Sequence, residues 1–386
     1  PDVMVSQIQR GILDMIGAAR PSIADPFLPR KIEEGRLDDI RECIGCNICV
    51  TGDWTHTPIQ CTQNPTMGEE WRRGWHPENM NRKGHSNRVL VVGAGPAGLE
   101  AAMSLGRRGY EVSLADTNEG GGRVVKEAGL PGLSIWRRVV DYRLGQIEKL
   151  NQVMFYPGSH MDRDSIFSYG AEHVAIATGS RWRQDGLGRA NWEPLEGVAD
   201  HGSVFTPDDI VEGNLPVAGP VVVYDDDHYY LGGIIAQMLA QAGLSVTLVT
   251  PGPEVSHWTR YTMEQPRIEA LLRRLGVHLE VNHKLTGVFP DRVVAVSNLT
   301  AEVQSIDAVS VVLVTARDPV NTLYFEMAGI EEERREELPF TLERIGDCFA
   351  PSTIAASVYH GHRYARELDL DIDRDDVPFR REYAVI

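Results

Sequence analysis

The sequence is poor in cysteine, in basic residues and in long apolar runs. Its 386 residues include 5 cysteines, and 38 lysines and arginines stand against 55 aspartates and glutamates, for a net charge of −17. This acidic balance argues against nucleic acid or an anionic membrane as a partner, because both attract basic patches. No apolar run reaches the roughly 18 residues of a membrane span, and no secretion signal opens the chain. We therefore expect a cytoplasmic protein whose partners are small molecules or other proteins.

The remaining composition, 42% hydrophobic and 24% charged, is that of ordinary globular domains, and the length predicts two or three of them. The chain begins at Pro1 in an amphipathic segment predicted to be a helix that ends at Gly11. Residues 12–20 are predicted to form a strand, and Pro21 to open another helix. So few elements cannot bury a core alone, so we interpret residues 1–40 as the last units of a β/α barrel within a longer protein.

Four of the five cysteines are crowded into one segment. Three have C-x2-C-x2-C spacing in RECIGCNICV and the fourth follows after eleven residues; they are Cys43, Cys46, Cys49 and Cys61. Disulfides rarely persist in a reducing compartment, and structural zinc typically uses two separated C-x2-C pairs. One tight loop with a later fourth cysteine suits the corners of a [4Fe–4S] cluster. The spacing favours the cluster, with zinc as the alternative, and the fifth cysteine, Cys348, is predicted to be a buried small residue.

A dinucleotide-binding motif follows a polar linker. Gly93, Gly95 and Gly98 lie between a predicted strand and a predicted helix in VLVVGAGPAGLEAA, and Asp116 ends the next predicted strand. Such glycines admit a diphosphate to the helix N-terminus, while the carboxylate accepts hydrogen bonds from ribose hydroxyl groups. The sequence therefore predicts a bound adenine nucleotide at this turn, and it leaves open whether that nucleotide is ADP or FAD.

A second strand-turn-helix unit, VVVYDDDHYYLGGIIAQ, lacks the glycine-rich turn. Residues 225–230, DDDHYY, stand in its place. Three carboxylates at a helix start repel a diphosphate, and two tyrosines fill space that a cofactor needs. This second site is predicted to be closed to NAD(P)H.

Together these motifs resemble the iron–sulfur flavoprotein amine dehydrogenases, the group of trimethylamine, dimethylamine and histamine dehydrogenases. The resemblance is carried by ARPSIADPFLP, CIGCNIC, CTQNPTMGEEWRRGWHPE and VLVVGAGPAGLEAA. It implies an α/β protein in which the end of a (β/α)8 barrel is followed by a [4Fe–4S] loop and two Rossmann-like nucleotide-binding domains. The implied boundaries are 1–40 for the barrel remnant, 41–85 for the cluster segment and linker, 86–215 with 340–386 for an ADP-binding (FAD-type) domain, and 216–339 for a degenerate NAD-type domain.

The resemblance also implies site residues. The residues alone leave Arg20 equally open to a phosphate contact and a structural salt bridge; the resemblance favours contact with the FMN phosphate, together with Gly17 and Ala18. The four crowded cysteines would bind the cluster. The predicted contacts to ADP or FAD are Gly93, Gly95, Pro96, Ala97, Gly98, Asp116, Gly122, Arg123, Ala177, Thr178, Gly179, Gly346 and Asp347.

The implied function is oxidative deamination of an amine, histamine first and otherwise trimethylamine or dimethylamine. Electrons would pass from FMN through the [4Fe–4S] cluster to an electron-transferring flavoprotein, in an enzyme that is a homodimer. The substrate pocket and the catalytic residues would lie in barrel strands outside this sequence. Two alternatives stay open: an NAD(P)H-dependent 2,4-dienoyl-CoA or enoate reductase of the same layout, and a non-catalytic electron-transfer subunit.

Overall fold

Our computed structural model describes residues 1–334 and 338–370, in which helices alternate with strands as in an α/β protein. The strands are β1 Arg88–Val92, β2 Glu111–Ala115, β3 Val153–Tyr156, β4 His173–Ile176, β5 Ser180–Trp182, β6 Val204–Phe205, β7 Val221–Asp225, β8 Val246–Thr250, β9 His278–Val281, β10 His283–Phe289, β11 Arg292–Ser297, β12 Val303–Asp307, β13 Ser310–Val314, β14 Arg317–Pro319 and β15 Thr341–Arg344. The α-helices are α1 Asp2–Gln9, α2 Ala19–Ala24, α3 Leu28–Glu33, α4 Thr51–Thr55, α5 Glu70–Arg73, α6 Pro96–Arg108, α7 Gly122–Glu127, α8 Arg138–Glu148, α9 Arg163–Tyr169, α10 Pro207–Val211, α11 Leu231–Gln241, α12 Gln265–Arg274, α13 Thr322–Arg334 and α14 Ile354–Glu367.

The chain divides into two units. Unit 1 comprises residues 1–124, 135–179 and the described residues from 320 onward, and unit 2 comprises residues 125–134 and 180–319. This division differs from the predicted boundaries at residues 215 and 339. The chain instead passes from unit 1 to unit 2 directly before β5 and returns directly after β14.

Unit 1 is built on a five-stranded parallel sheet in the order β3-β2-β1-β4-β15. Its central strands are nearly continuous apolar runs because helices cover both faces of such a sheet. The register sets Val92 at the end of β1 beside Ala115 of β2 and Ile176 of β4. The residues that follow these three strands therefore meet at one sheet edge, where the strand order reverses and where open α/β sheets bind ligands.

Unit 2 repeats the parallel arrangement with the strand order β9-β8-β7-β13-β6. It adds a three-stranded antiparallel sheet, β10-β11-β12, and a short antiparallel pair of β5 with β14. Close to that pair along the chain, Val320 donates its N–H to the carbonyl of Gly179 at 2.9 Å within unit 1. Each unit thus contains a five-stranded parallel sheet of the Rossmann-like kind that was predicted.

The first forty residues match the prediction only in part. The helix α1 ends just before Gly11, whose φ of +64° suits glycine after a helix. Residues 12–18 form no strand, so that prediction is wrong, and α2 begins at Ala19 rather than at Pro21. A strand requires a neighbouring strand for its backbone hydrogen bonds, and no strand of the described chain pairs with this segment.

No helix within residues 1–334 and 338–370 combines the length and the apolar character needed to cross a lipid bilayer.

Candidate functional site

The four crowded cysteines precede β1 in a stretch of turns and short helices. Gly45 and Asn47 adopt positive φ angles of +69° and +54°, which reverse the chain tightly between Cys43, Cys46 and Cys49. All four thiols are free rather than disulfide-bonded. The sequence places a glycine and an asparagine at the two positions where a left-handed backbone is required, because these residues tolerate it best.

The thiols lie within electrostatic range of one another. Burial is the main reason that the pKa values of Cys46, Cys49 and Cys61 are raised, that of Cys61 to about 11. In addition, Cys43 raises the pKa of Cys46 and Cys49, and these two raise the pKa of Cys61. A thiol must lose its proton before it can bind a metal, so these groups are thiols in the free chain and become thiolates only when a metal compensates the charge.

Within the described ranges, no three histidine, cysteine or acidic side chains surround a point at which one metal ion could bind. A single zinc ion holds each sulfur at about 2.3 Å, which requires the thiolates to converge closely. A [4Fe–4S] cluster binds each thiolate at a different corner, so its ligands stand farther apart. Binding of a cluster by these four thiols therefore stays a prediction from their spacing in the sequence.

Buried polar contacts hold the cysteine segment in place. Arg143 donates to the Gln63 side chain at 3.0 Å and to its backbone carbonyl at 3.2 Å, and it pairs with Glu100 at 2.7 Å. Arg41 donates to the Asn64 side chain at 3.1 Å. Sequence reasoning missed this network. The available signal was Glu100 itself, since a charge within the apolar helix sequence LEAAMSL requires a buried partner.

The glycine-rich turn forms at the C-terminal end of β1, as predicted. A Cβ at Gly93 would lie 2.3 Å from the Ala177 carbonyl oxygen, and one at Gly98 would lie 1.8 Å from the Gly93 carbonyl oxygen. A Cβ at Gly95 would meet nothing within 4 Å. Close packing against backbone atoms thus explains why Gly93 and Gly98 are glycines. Gly95 instead leaves open space at the N-terminus of the 13-residue helix α6, and a helix N-terminus favours an anion.

Asp116 follows β2 and faces this turn. Its Oδ2 accepts a hydrogen bond from the Ala94 N–H and its Oδ1 accepts one from the Asn118 N–H, both at 2.7 Å. Oδ1 also accepts a longer bond from the Asn118 side-chain amide at 3.4 Å, whereas Oδ2 can accept a further bond, for example from a ribose hydroxyl group. Asp116 therefore also stabilises the glycine turn, a role that the sequence did not reveal.

The other predicted nucleotide contacts gather at the same sheet edge. Ala177 follows β4, and its N–H donates to the Val92 carbonyl at 2.7 Å. A Cβ at Gly346 would lie 2.5 Å from the Ala97 Cβ, which places the segment after β15 against the start of α6. Asp347 accepts a hydrogen bond from the Ser357 hydroxyl at 2.9 Å. The structure thus brings these residues together.

The remaining members of that set lie nearby. Gly122 begins α7, and a Cβ there would lie 3.1 Å from the Gly95 Cα. Gly122 therefore packs against the glycine turn, and Arg123 is the next residue of the chain. Pro96 is the first residue of α6. Thr178 donates to the sulfur of Cys348 at 3.3 Å. Cys348 itself is fully buried, as predicted.

A cavity of about 550 Å³ adjoins both the cysteine segment and the segment after β15. Cys61 contributes to one wall. Gly346, Phe349 and Ser357 line another part of it. Unit 1 therefore has a cavity beside Gly346, the residue that packs against the start of α6.

The predicted FMN contacts are not strand-end residues. Gly17 is exposed in irregular chain and Ala18 precedes α2. Arg20 lies exposed in the first turn of α2, where its guanidinium donates to the Asn47 side chain. Its position at the end of a strand was therefore predicted wrongly, while contact with an FMN phosphate stays a prediction.

The turn after β7 differs from the glycine turn as predicted, but for a partly different reason. Asp225 and Asp226 are fully buried, and Asp225 accepts a hydrogen bond from the His228 N–H at 2.9 Å. Burial raises the pKa of Asp225 to about 7, although His228 acts in the opposite direction. The pKa of Asp227 is also raised, mainly by burial. The charge of the turn is therefore less negative than −3. The prediction from the sequence overestimated how strongly the turn repels a diphosphate.

Side chains fill the space at this turn. A Cβ at Gly232 of α11 would lie 2.4 Å from the Asp225 carboxyl carbon, so the carboxylate packs directly on the helix start. Tyr229 packs edge-on against Tyr230 and Trp258, with ring centroids 4.4 and 4.8 Å apart. Packing therefore occupies the position at which a diphosphate would approach this helix.

The sequence profile of one family, described as pyridine nucleotide-disulphide oxidoreductase, matches residues 87–341. This match covers well over half of the chain and both parallel sheets. The chain belongs to this family. Within the matched residues of this chain, the glycine turn follows β1 and the filled turn follows β7.

The chain is similar to three proteins of longer sequence. It is 39% identical to dimethylamine dehydrogenase of Hyphomicrobium sp. (strain x), over 99% of this chain and 55% of that protein. It superposes on histamine dehydrogenase from Rhizobium sp. 4-9 with a TM-score of 0.96 and 49% identity, over 100% of this chain and 56% of that chain. For the 6-hydroxypseudooxynicotine amine oxidase (HisD) of Pseudomonas geniculata N1 the TM-score is 0.93 and the identity 44%, over 96% and 55% of the two chains.

The chain spans just over half the length of these relatives. The resemblance to amine dehydrogenases, first inferred from the cysteine segment and the glycine turn, is confirmed by the similarity over nearly the whole chain.

Proposed function

We propose that this chain is the electron-transfer portion of an iron–sulfur flavoprotein amine dehydrogenase. The observation that carries the proposal is the grouping of four free thiols in the segment before β1, together with an open glycine turn after β1 and a filled turn after β7. The similarity to histamine and dimethylamine dehydrogenases supports it. The substrate pocket and the catalytic residues belong to segments of the longer protein.

The cysteines Cys43, Cys46, Cys49 and Cys61 are the proposed ligands of a [4Fe–4S] cluster. Such a cluster, when bound, accepts and releases one electron at a time. The chain supplies the thiolates, the tight turn that orients three of them, and the buried contacts of Arg143 that fix the fourth through Gln63. Zinc is disfavoured because structural zinc sites typically use two separated C-x2-C pairs, whereas three of these cysteines come from one loop.

The open glycine turn is the proposed site of an adenine nucleotide. A Cβ at Gly95 would meet no protein atom within 4 Å, and Oδ2 of Asp116 can accept a bond besides the one from the Ala94 N–H. By similarity to the amine dehydrogenases, the nucleotide is ADP. The cavity beside Gly346 is the observation that keeps FAD as the second candidate, because it could hold the flavin half.

The filled second turn determines the proposed direction of electron flow. A reductase that uses NAD(P)H must admit a diphosphate to the start of α11, where Asp225 and the aromatic side chains already pack. Electrons would therefore enter from an amine through FMN and leave through the cluster to a protein acceptor, here an electron-transferring flavoprotein. Histamine is the first amine to test. Arg20, with Gly17 and Ala18, remains the proposed contact for the FMN phosphate, since an exposed guanidinium has further N–H groups to offer.

Anaerobic rapid mixing of the full-length enzyme tests this proposal. Histamine, dimethylamine and trimethylamine are compared with NADH and NADPH, and flavin absorbance and the signal of the cluster are followed in time. We expect one of the amines to bleach the flavin before the cluster becomes reduced, and neither pyridine nucleotide to do so. Fast bleaching by NADH with none by any amine would instead identify a reductase of the same layout.

A further inference from the structure

Thr62 directly follows Cys61 and points back to another cysteine of the segment. Its side chain is 4% exposed, and its Oγ1 lies 3.2 Å from the sulfur of Cys46. A buried hydroxyl held at this distance from a sulfur is available for hydrogen bonding. The contact therefore joins Thr62, the residue after the fourth cysteine, to Cys46, the middle cysteine of the C-x2-C-x2-C loop.

The direction of this hydrogen bond follows from the chemistry of the ligand. Between a free thiol and a hydroxyl, either atom can donate. A cysteine bound to iron is a thiolate without a proton, so Cys46 can then only accept. Thr62 must therefore be the donor whenever the cluster is bound.

We propose that Thr62 is a positioning residue that raises the reduction potential of the cluster by donating a hydrogen bond from its hydroxyl group to the thiolate of Cys46. The inference rests on the proposed function. Reduction adds one negative charge to the cluster and its ligands, and hydrogen bonds to the sulfurs stabilise the more negative form. A donor at Cys46 therefore favours the reduced state.

Thr62 differs from the backbone donors of the segment. The Gly45 N–H lies 3.4 Å from the Cys43 sulfur, and the backbone amides of Gln63 and Asn64 act on Cys61. These groups persist in any side-chain variant. The hydroxyl of Thr62 is a side-chain donor, so its contribution can be removed while the chain keeps its shape.

The test compares Thr62→Val, which replaces the hydroxyl by a methyl group of similar size, with the matched control Thr62→Ser, which keeps the hydroxyl. Iron and acid-labile sulfide are measured first in the full-length holoenzyme. A redox titration followed by electron paramagnetic resonance then gives the midpoint potential. We expect Thr62→Val to reduce the ratio of reduced to oxidised cluster at a fixed potential about tenfold, about 59 mV for one electron. The serine variant should stay close to the parent enzyme.

The outcomes separate the two proposals. A parent enzyme without iron or labile sulfide overturns both of them. A parent enzyme with its cluster, and a Thr62→Val variant with an unchanged midpoint, overturns the role of Thr62 alone. Should Thr62→Val fail to retain iron, Thr62→Ala gives the same comparison without the added methyl group. Loss of iron from both variants would overturn the proposal, because the hydroxyl would then act on retention of the cluster rather than on its potential.

Discussion

Glu100 and Arg143 form an ion pair of 2.7 Å in which neither side chain is exposed by more than 1%. Burial opposes the charge on Glu100, but Arg143, followed by His362, outweighs it and lowers the pKa of this carboxyl to about 2. Glu100 belongs to α6, which starts at the glycine turn, and Arg143 also holds Gln63 beside Cys61. The pair thus joins the nucleotide helix to the cysteine segment.

Arg143→Met should lower the free energy of unfolding by about 3 to 5 kcal/mol, because it removes the guanidinium that compensates the buried Glu100 carboxylate and leaves it with His362. The matched control is Arg163→Met, which breaks a more exposed pair with Asp164 and should cost at most about 1 kcal/mol. Urea denaturation of the full-length enzyme, followed by circular dichroism, measures both. Equal losses in the two variants would contradict a special role for the buried pair.

Cys46→Ala should remove the cluster, and Cys348→Ala should not. Both positions lose a thiol, but Cys348 packs in the apolar core of unit 1. Four irons and four acid-labile sulfides per chain are expected in the parent and in Cys348→Ala. Cys46→Ala should still allow an amine to reduce the flavin but should block transfer to the acceptor. Stoichiometric zinc in the parent enzyme would refute the assignment of the cysteines.

Gly95→Ala should leave the fold intact and weaken nucleotide binding tenfold or more, about 1.4 kcal/mol. A Cβ at this position clashes with no protein atom, so a loss of binding would report the ligand itself. Gly145→Ala in α8, where a Cβ also meets nothing within 4 Å, is the control and should retain the nucleotide. Acid release followed by chromatography identifies ADP or FAD and measures its amount. Full occupancy in Gly95→Ala would show that the diphosphate lies elsewhere.

Asp225→Asn should remove part of the pH dependence of stability. An aspartate in an unfolded chain titrates near 3.9, whereas burial raises the pKa of Asp225 in the folded protein to about 7. The stabilising contribution of this group is therefore complete below about pH 4 and is lost as the pH rises to about 7. The asparagine variant should gain thermal stability relative to the parent over this interval, measured as the melting temperature from pH 4 to 8. Asp291→Asn, at an exposed position, is the control, and parallel curves for all three proteins would disprove the effect.

Much of unit 1 could be predicted from the sequence because its signals are local. The apolar run before Gly93 predicts β1, the glycine spacing predicts the turn, and the position of Asp116 follows from the next strand. The cysteine spacing likewise indicates that the four thiols belong to one site. Each of these patterns is complete within about thirty residues of chain.

The features that the sequence did not reveal depend on contacts between distant residues. Arg143 and Gln63 are separated by 80 positions, and neither has a motif that would pair them. Residues 12–18 have the composition of a strand, but a strand forms only where a partner strand is present. The raised pKa of Asp225 depends on burial, which the letters DDDHYY do not encode. Distance along the chain, rather than ambiguity of the motifs, limited the prediction.

The hydrogen bond between Val320 and Gly179 has a consequence for how this chain can vary. The long segment 180–319 leaves unit 1 and returns to it at positions that are one hydrogen bond apart, and its own two ends pair as β5 and β14. Both ends of this segment are thus tied, by the bond between Val320 and Gly179 and by the pairing of β5 with β14. Evolution can therefore insert or delete residues between β5 and β14 while Gly179 and Val320 stay joined.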